Sequence, residues 1–294
     1  MEINKYALFA DVAETKNFTK SGDNMGYTQP GVSHILKSME NELGFELFSR
    51  TKQGIRLTTN AEAILPIVRR LLAVNEQLEQ TIASLNGLET GHLTIATFAS
   101  ISRNWLPAFI HNFQKSYPGV EIELLEGGTD DIVGWVSESV ADFGLMSHLH
   151  TGSLEWIPLY EDPLVAVLPK NYYEGEAPDA FPIREILEQP FILSAQGIDY
   201  DIHSALDKAG IHPESIFSSP DDTTIVAMVA NQLGISILPK LTLQDLNYPV
   251  LQLPLEPYAS RELGIAFRSH SSLSPATSHF ISSVQKTLKE MLSV

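Results

Sequence analysis

The sequence predicts an α/β protein with an all-α-plus-wing head, joined by one long helix to an α/β body. Three observations predict this architecture. Residues 1–59 combine helical periodicity with a short basic hairpin, residues 60–90 repeat apolar side chains every three or four positions, and residues 91–294 alternate strand-like with helix-like segments. A chain of 294 residues is long enough for two or three domains.

Charge is distributed unevenly along the chain. Residues 1–60 hold seven Lys and Arg against seven Asp and Glu, whereas residues 91–294 hold ten against 25, a net charge of −15. DNA binding would therefore belong to the head, because an acidic body is repelled by phosphates. The chain has no cysteine, which excludes disulfides and thiolate sites. It begins without a signal-peptide pattern and has no apolar run long enough to span a membrane, so a cytoplasmic location and no membrane partner are expected.

The head begins with two predicted helices. The first has apolar residues at helical spacing from Ile3 to Ala13, and the second, NFTKSGDNMGY, ends at Gly26. A third helix follows with Thr28 as its N-cap and with Pro30 in its first turn, where a missing N–H costs no hydrogen bond. Gly44 ends it. One face forms an apolar stripe of Val32, Ile35, Leu36, Met39 and Leu43, and the opposite face carries Gln29, Ser33, His34 and Lys37.

Two interpretations of this third helix stay open on these residues alone. It is either an ordinary capped helix of a three-helix bundle or the second helix of a helix-turn-helix, which enters the major groove. The following segment, LFSRTKQGIRLT, favours DNA, because its cations alternate around the turn Gln53-Gly54 as in a two-stranded wing. We expect Gln29, Ser33, His34 and Lys37 to read base edges next to Pro30. The expected phosphate contacts are Thr28, Arg50, Lys52 and Arg56.

The stretch FTKSGDNMGYTQPGVSHILKSMENELGFELFSRTKQGIRLT resembles the winged helix-turn-helix of LysR-type transcriptional regulators. The shared features include the Thr-Gln-Pro helix start, the Glu-Leu-Gly helix end and the Leu-Phe pair before the wing. The chain departs from the family pattern at Ser21 and Gly22, where small alanines are usual. It also has His34 in place of a usual Arg and Glu62 in place of a usual Gly. The resemblance implies a DNA-binding domain over residues 1–59.

The pattern of residues 60–90 predicts a linker helix through which two copies of the chain dimerise. Its apolar residues step by four and three, which is a heptad seam about three repeats long. The predicted seam consists of Ile64, Val68, Leu71, Asn75, Leu78, Ile82 and Leu85. The alternative is an amphipathic helix packed only on its own chain. The position between two domains favours dimerisation, and the resemblance implies the same.

Residues 91–294 predict an α/β domain with a mainly parallel sheet. Strand-like segments such as HLTIAT, ADFGLMS and PLVAVLP alternate with helix-like segments such as TDDIVGWVSES and DDTTIVAMVANQ. This part resembles the periplasmic-binding-protein-like effector domain of the same family. The resemblance implies a small-molecule effector between two subdomains. We place subdomain I at 91–162 and 268–294 and subdomain II at 163–267, and a carboxylate is the candidate effector because helix starts favour anions.

Ligands of open α/β sheets lie at the carboxyl ends of strands, where helix N-termini favour anions. For each Ser or Thr at these junctions a helix cap is the simpler role. Together they predict a pocket formed by Thr97, Ser100, Ser102, Gly128, Thr129, His148, Ser194, Gln196, Thr223 and Thr224.

No catalytic motif is present: the chain lacks GxSxG, GxGxxG, HExxH and a P-loop. We therefore expect no catalysis, no cofactor and no metal site. The predicted function is an effector-modulated transcriptional regulator. Its expected partners are double-stranded promoter DNA at an interrupted palindrome, a second copy as homodimer or homotetramer, a small-molecule effector and RNA polymerase. The alternatives are a soluble small-molecule binding protein without DNA function and an enzyme using the same cleft.

Overall fold

The computed structural model describes residues 2–51, 54–86, 90–194, 200–244 and 246–292. The head contains three helices, α1 (Ile3–Thr15), α2 (Phe18–Met25) and α3 (Gln29–Leu43), and a hairpin of β1 (Phe48–Thr51) and β2 (Gly54–Leu57). One apolar core joins these elements, with Phe9, Val32 and Met39 fully buried.

The predicted ends of the head helices are confirmed. The Thr28 hydroxyl accepts a hydrogen bond from the Gly31 amide, and Pro30 lies in the first turn of α3. Gly26 and Gly44 end α2 and α3 with φ of 72° and 82°, in the left-handed region that glycine enters without steric cost. The short polar sequence between the helices therefore defines the helix-turn-helix.

Gly22 allows the turn between α2 and α3 to pack closely. A Cβ at this position would lie 2.5 Å from the carbonyl oxygen of Tyr27, and a backbone atom has little room to move. The Tyr27 amide also donates to the Gly22 carbonyl at 2.8 Å. The departure from the usual alanine at this position thus has a packing reason in this chain.

The long helix α4 (Thr59–Leu85) connects the head to the body, and Pro66 lies within it. Its first turns belong to the head core, which extends to Val68. Its second half contacts the body, where Gln80 Nε2 donates to the His92 carbonyl at 2.9 Å and Gln77 Nε2 donates to the Leu273 carbonyl at 3.1 Å. Across the described ranges, no helix is both long enough and apolar enough to cross a membrane.

The body is an α/β unit built on one large mixed sheet. Its strands are β3 (Thr90–Thr97), β4 (Gly119–Glu126), β5 (Phe143–Ser147), β6 (Glu155–Pro169), β7 (Phe181–Pro182), β8 (Phe191–Ser194), β9 (Ser215–Ser219), β10 (Ser236–Pro239), β11 (Val250–Glu256) and β12 (Ser260–Phe267). Its helices are α5 (Ala99–Asn104), α6 (Leu106–Gln114), α7 (Thr129–Ser137), α8 (Tyr200–Lys208), α9 (Asp222–Ala230), α10 (Lys240–Leu243) and α11 (Pro275–Leu292).

The sheet follows the order β4-β3-β5-β12-β6-β11-β7, with β10 also paired to β6, and β8 and β9 form a separate parallel pair. Strand β3 runs parallel to β4 and β5. Strands β6 and β12 are antiparallel to each other, and the described pairings with β5, β10 and β11 are antiparallel as well. The prediction of a mainly parallel sheet is therefore wrong for its centre, where two long strands cross between the two halves of the body.

Two hydrophobic cores define the two halves. Subdomain I is built around β3, α6 and α11, and subdomain II around β8, α9 and β11. Strand β6 changes from the first core to the second between Tyr160 and Leu164, close to the predicted boundary at 162. The predicted return at 268 is too late, because β12 already packs in the first core through Leu263 and Ile265.

Candidate nucleic-acid interface and ligand cavity

Helix α3 presents a polar face away from the head core. Thr28, Gln29, Pro30, His34 and Lys37 are exposed, and Ser33 is half-buried. Gln29 Nε2 donates to Ser33 Oγ at 3.1 Å, and Lys37 Nζ lies 3.6 Å from Glu40 Oε2 with its side chain 63% exposed. These groups can reach a ligand without disturbing the core.

Polar contacts at the other end of α3 fix the wing and α1. Glu40 Oε1 accepts a hydrogen bond from the Leu47 amide at 2.8 Å, which holds the start of the hairpin against the helix. Lys5 Nζ lies 2.5 Å from Glu42 Oε1, and this hydrogen bond lowers the pKa of the Glu42 carboxyl. The polar face of α3 thus keeps a fixed orientation relative to the wing.

The predicted wing forms a two-stranded antiparallel hairpin. Ser49 pairs with Arg56 and Arg50 pairs with Ile55 through the backbone. The Arg56 side chain is exposed. Lys52 lies outside the described residues, so its predicted phosphate contact stays a prediction.

The exposed apolar stripe of α4 differs from the predicted seam. Ile64 and Val68 pack in the head core, and Asn75 donates to Glu79 at 2.8 Å. The stripe that faces away from both domains consists of Ile67, Leu71, Val74, Leu78, Ile82 and Leu85, with exposures from 43% to 83%. The predicted seam is wrong at Ile64 and Val68 because the head core covers these positions. A periodicity in the sequence does not show which domain covers a residue.

A cavity of about 350 Å³ lies between the two subdomains. Strand ends and helix starts of both halves line it, namely Phe98, Ala99, Ser100, Arg103, Glu126, Gly127, Gly128, Asp131, Pro220, Asp221, Asp222 and Arg261. Of the predicted pocket residues, Ser100 and Gly128 line it. Both lie where a strand of the sheet is followed by a helix, and their role in effector binding stays a prediction.

A buried ion pair lies at the base of this cavity, and its arginine belongs to the lining. Arg261 on β12 and Asp162 on β6 are 3% and 1% exposed, and Arg261 Nε donates to Asp162 Oδ2 at 3.0 Å. Arg261 also donates to Ser100 Oγ at 3.0 Å and stacks its guanidinium over Phe98 at 5.5 Å from the ring centroid. Asp162 additionally accepts from the Leu241 amide on α10. The pair therefore joins β6 and β12, which cross between the subdomains, to the start of α10.

The predicted anion donors are held by carboxylates of the chain itself. Ser102 donates to Glu126, and the Gly128 amide donates to Asp131.

At α9, the amides of Thr223 and Thr224 and the Thr224 hydroxyl all donate to Asp221. Partial burial raises the pKa of Asp221, but these hydrogen bonds outweigh it and lower the pKa below its usual value. Asp221 is therefore an ionised helix cap.

Other predicted pocket residues lie elsewhere. His148 stacks on Trp156 with ring centroids 4.9 Å apart and does not line the cavity. Thr97, Thr129 and Ser194 are buried, and the Ser194 hydroxyl has no hydrogen-bond partner among the residues that the structure describes. Gln196 lies outside the described residues.

Sequence reasoning missed the charged lining of the cavity. Arg103 donates to Thr223 Oγ1 at 3.0 Å and so bridges the two subdomains on one side of the cavity. Tyr200 makes a second bridge by donating to Asp130. One signal was available for Arg261, which is a single cation within the otherwise strand-like sequence SRELGIAF. No cluster of metal-ligating side chains occurs within the part of the chain that the structure describes.

Two family models match the chain. Residues 3–62 match the bacterial regulatory helix-turn-helix protein, lysR family, and residues 86–289 match the LysR substrate binding domain. The second match alone covers more than half of the sequence. The chain belongs to the LysR family of transcriptional regulators.

Similar proteins extend over the whole length of this LysR-family chain. The HTH-type regulator YvbU of Bacillus subtilis is 29% identical over 284 residues, covering 96% of this chain and 97% of YvbU. Full-length OxyR C199D from Pseudomonas aeruginosa has the same fold with a TM-score of 0.77 at 21% identity, covering 98% and 95% of the two chains. Full-length CbnR in complex with its target DNA gives a TM-score of 0.67 at 19% identity, covering 98% and 100%.

The LysR-family match settles the general function. The protein is a DNA-binding transcriptional regulator with an effector-binding domain, and its family consists of regulators rather than enzymes. The winged helix-turn-helix, the connecting helix and the two-subdomain body are the parts of this family architecture.

Proposed function

We propose that the protein acts as a dimer that reads promoter DNA with α3 and the wing and responds to a small molecule in the inter-subdomain cavity. Gln29, Ser33 and His34 contact base edges, and Arg50 and Arg56 contact phosphates. With promoter DNA as its target, the proposed location is the cytoplasm and the proposed further partner is RNA polymerase.

The exposed polar face of α3 carries this proposal. The helix is capped at both ends and anchored on a closed core, so its outer face has a fixed shape before DNA arrives. Recognition helices present such an N-terminal face to the major groove. Lys37 adds a mostly exposed cation to this face.

The stripe on α4 supports dimerisation. Six large apolar side chains, from Ile67 to Leu85, follow one side of the helix in spacings of three and four and are exposed in the single chain. Such a row is unfavourable in water and is buried when two helices pair. A two-fold dimer presents two α3 helices and thus reads an interrupted palindrome.

A gel shift with genomic fragments, followed by mapping of the bound sites, tests this function on the full chain. Lys37→Ala should weaken binding and make the affinity less dependent on salt, because the face of α3 that meets the DNA loses its cation. Lys286→Ala, an exposed lysine on α11, is the matched control and should bind like the native protein.

Failure to select any DNA would favour the alternative, a binding protein without DNA function. Equal salt slopes for both lysine variants would remove α3 from the DNA interface.

A further inference from the structure

The charges around the inter-subdomain cavity restrict which effectors it can bind. Among the residues that the structure describes, its ionisable lining comprises two guanidiniums and four carboxylates, namely Arg103, Arg261, Glu126, Asp131, Asp221 and Asp222. Whichever carboxylates the two arginines pair with, the lining keeps an excess of two negative charges. A cleft with an excess of one sign concentrates ligands of the opposite sign.

Both arginines already hold partners before any ligand enters. Arg261 is bound to Asp162, a carboxylate that is not part of the lining, so a charge from outside the cavity compensates it. Arg103 donates to the Ala99 carbonyl and, across the cleft, to Thr223. Neither guanidinium is held in place for a ligand carboxylate.

Internal carboxylates also accept backbone amides at two of the helix starts that line the cavity, those of α7 and α9. Asp221 accepts from two amides of α9, and Asp131 accepts from the Gly128 amide at the start of α7. An anionic effector would have to displace an internal carboxylate from either helix. It would then place its own negative charge beside the displaced one, which is unfavourable.

We infer that the effector carries a protonated amine, which binds among Glu126, Asp131, Asp221 and Asp222. The inference rests on the proposed function, since it takes the cavity as the effector site. An ammonium group has three donors and no acceptor, and ionised carboxylates are acceptors only, so the two are complementary. A volume of about 350 Å³ is at the small end of ligand sites and suits a molecule of amino-acid size.

Three five-carbon probes that differ only in their end groups test the ligand class: 1,5-diaminopentane, 5-aminopentanoate and glutarate. Titration calorimetry on the full-length protein at fixed ionic strength gives the three affinities. We expect both amines to bind at least about tenfold more tightly than glutarate, the size of one charged hydrogen bond.

Variants locate the binding. Glu126→Gln should weaken diaminopentane binding about tenfold, because the amide keeps an acceptor for Ser102 but loses the charge. Asp222→Asn should act in the same direction. Glu290→Gln, on the exposed end of α11, should change nothing. Melting curves of each variant establish that it is folded.

Tighter binding of glutarate than of both amines, or no binding of either amine at millimolar concentration, overturns the inference. Amine binding that is equal in native protein, Glu126→Gln and Asp222→Asn overturns it as well, since the acidic surface would then be the site. The same preparations are tested by gel shift. If the native protein does not bind DNA, the proposed function is contradicted. If it binds DNA but binds glutarate more tightly than both amines, only the ligand class is contradicted.

Discussion

The outer face of α3 and the wall of the cavity both consist of polar side chains at helix starts, yet they differ in what holds those side chains. On α3, Gln29 and Ser33 contact each other and His34 and Lys37 extend into solvent. At the cavity, carboxylates of the lining already accept hydrogen bonds, Glu126 from Ser102 and Asp221 from Thr224. The first surface keeps its donors for a partner, and the second has used many of them to fix its own helices.

The variant with the largest expected effect concerns dimerisation through α4, which brings two α3 faces together. Leu78→Glu places a charge in the exposed stripe of α4, where pairing would bury it. An unpaired buried charge costs about 3–5 kcal/mol, so dimerisation and binding to a two-site DNA should each fall by about a hundredfold or more. Sedimentation velocity and gel shifts measure both.

Ser84→Glu, an exposed position of α4 outside the stripe, is the control and should remain a dimer. A dimer of unchanged affinity in Leu78→Glu would show that the stripe is not the interface.

The sequence predicted local features well and long-range ones poorly. Thr28, Pro30 and Gly44 define α3 through residues within one turn of each end, so a single stretch contains the information. Ile64 and Val68 were assigned to the dimer seam because a heptad repeat does not show which domain covers each position.

The cavity shows the same limit. Arg261 and Ser100 are 161 positions apart and Arg103 and Thr223 are 120 apart, and no local pattern brings them together. The strand-end rule predicts a pocket at the junctions between strands and helices but contains no information on the charge of that pocket.

A pair of glycines compares the head with the body. Gly22→Ala should lower the stability of the head by about 1–2 kcal/mol, because a Cβ beside the Tyr27 carbonyl oxygen overpacks the turn by more than the better helix propensity of alanine returns. Gly134→Ala on α7 meets nothing within 4 Å and should instead stabilise the body by up to about 1 kcal/mol.

Denaturant unfolding monitored by hydrogen exchange resolves the two domains. Equal effects of both substitutions would show that the α2–α3 turn relaxes and that Gly22 has no special role.

Asp221 tests whether the cavity wall is built from internal caps. Asp221→Ala removes the acceptor of two α9 amides and should lower the stability of the body by about 1 kcal/mol. Asp221→Asn keeps an N-cap oxygen and should lower the stability of the body by only about a few tenths of a kcal/mol. Thermal unfolding of both variants measures the difference, and two equally stable variants would mean that α9 does not depend on this cap.

The smallest expected effect concerns the carboxylate beneath the linker helix. Burial raises the pKa of Asp142, against the opposing effects of the Thr94 amide, Arg268 and His92, while Glu76 raises it slightly further. The native state therefore holds this proton more tightly than the unfolded chain does. The contribution of Asp142 to stability is most favourable below its usual pKa of 3.8 and declines as pH rises through the higher folded value.

Asp142→Asn keeps an acceptor for the Thr94 amide and removes the ionisation, so its stability relative to the native protein should increase from pH 4 to pH 7. Urea unfolding across this range, with the exposed Asp179→Asn as the control, measures the difference between the two curves. Parallel curves for the native protein and Asp142→Asn would show that this carboxylate is solvated. In that case the contact between α4 and the body would be as accessible to solvent as the outer face of α3.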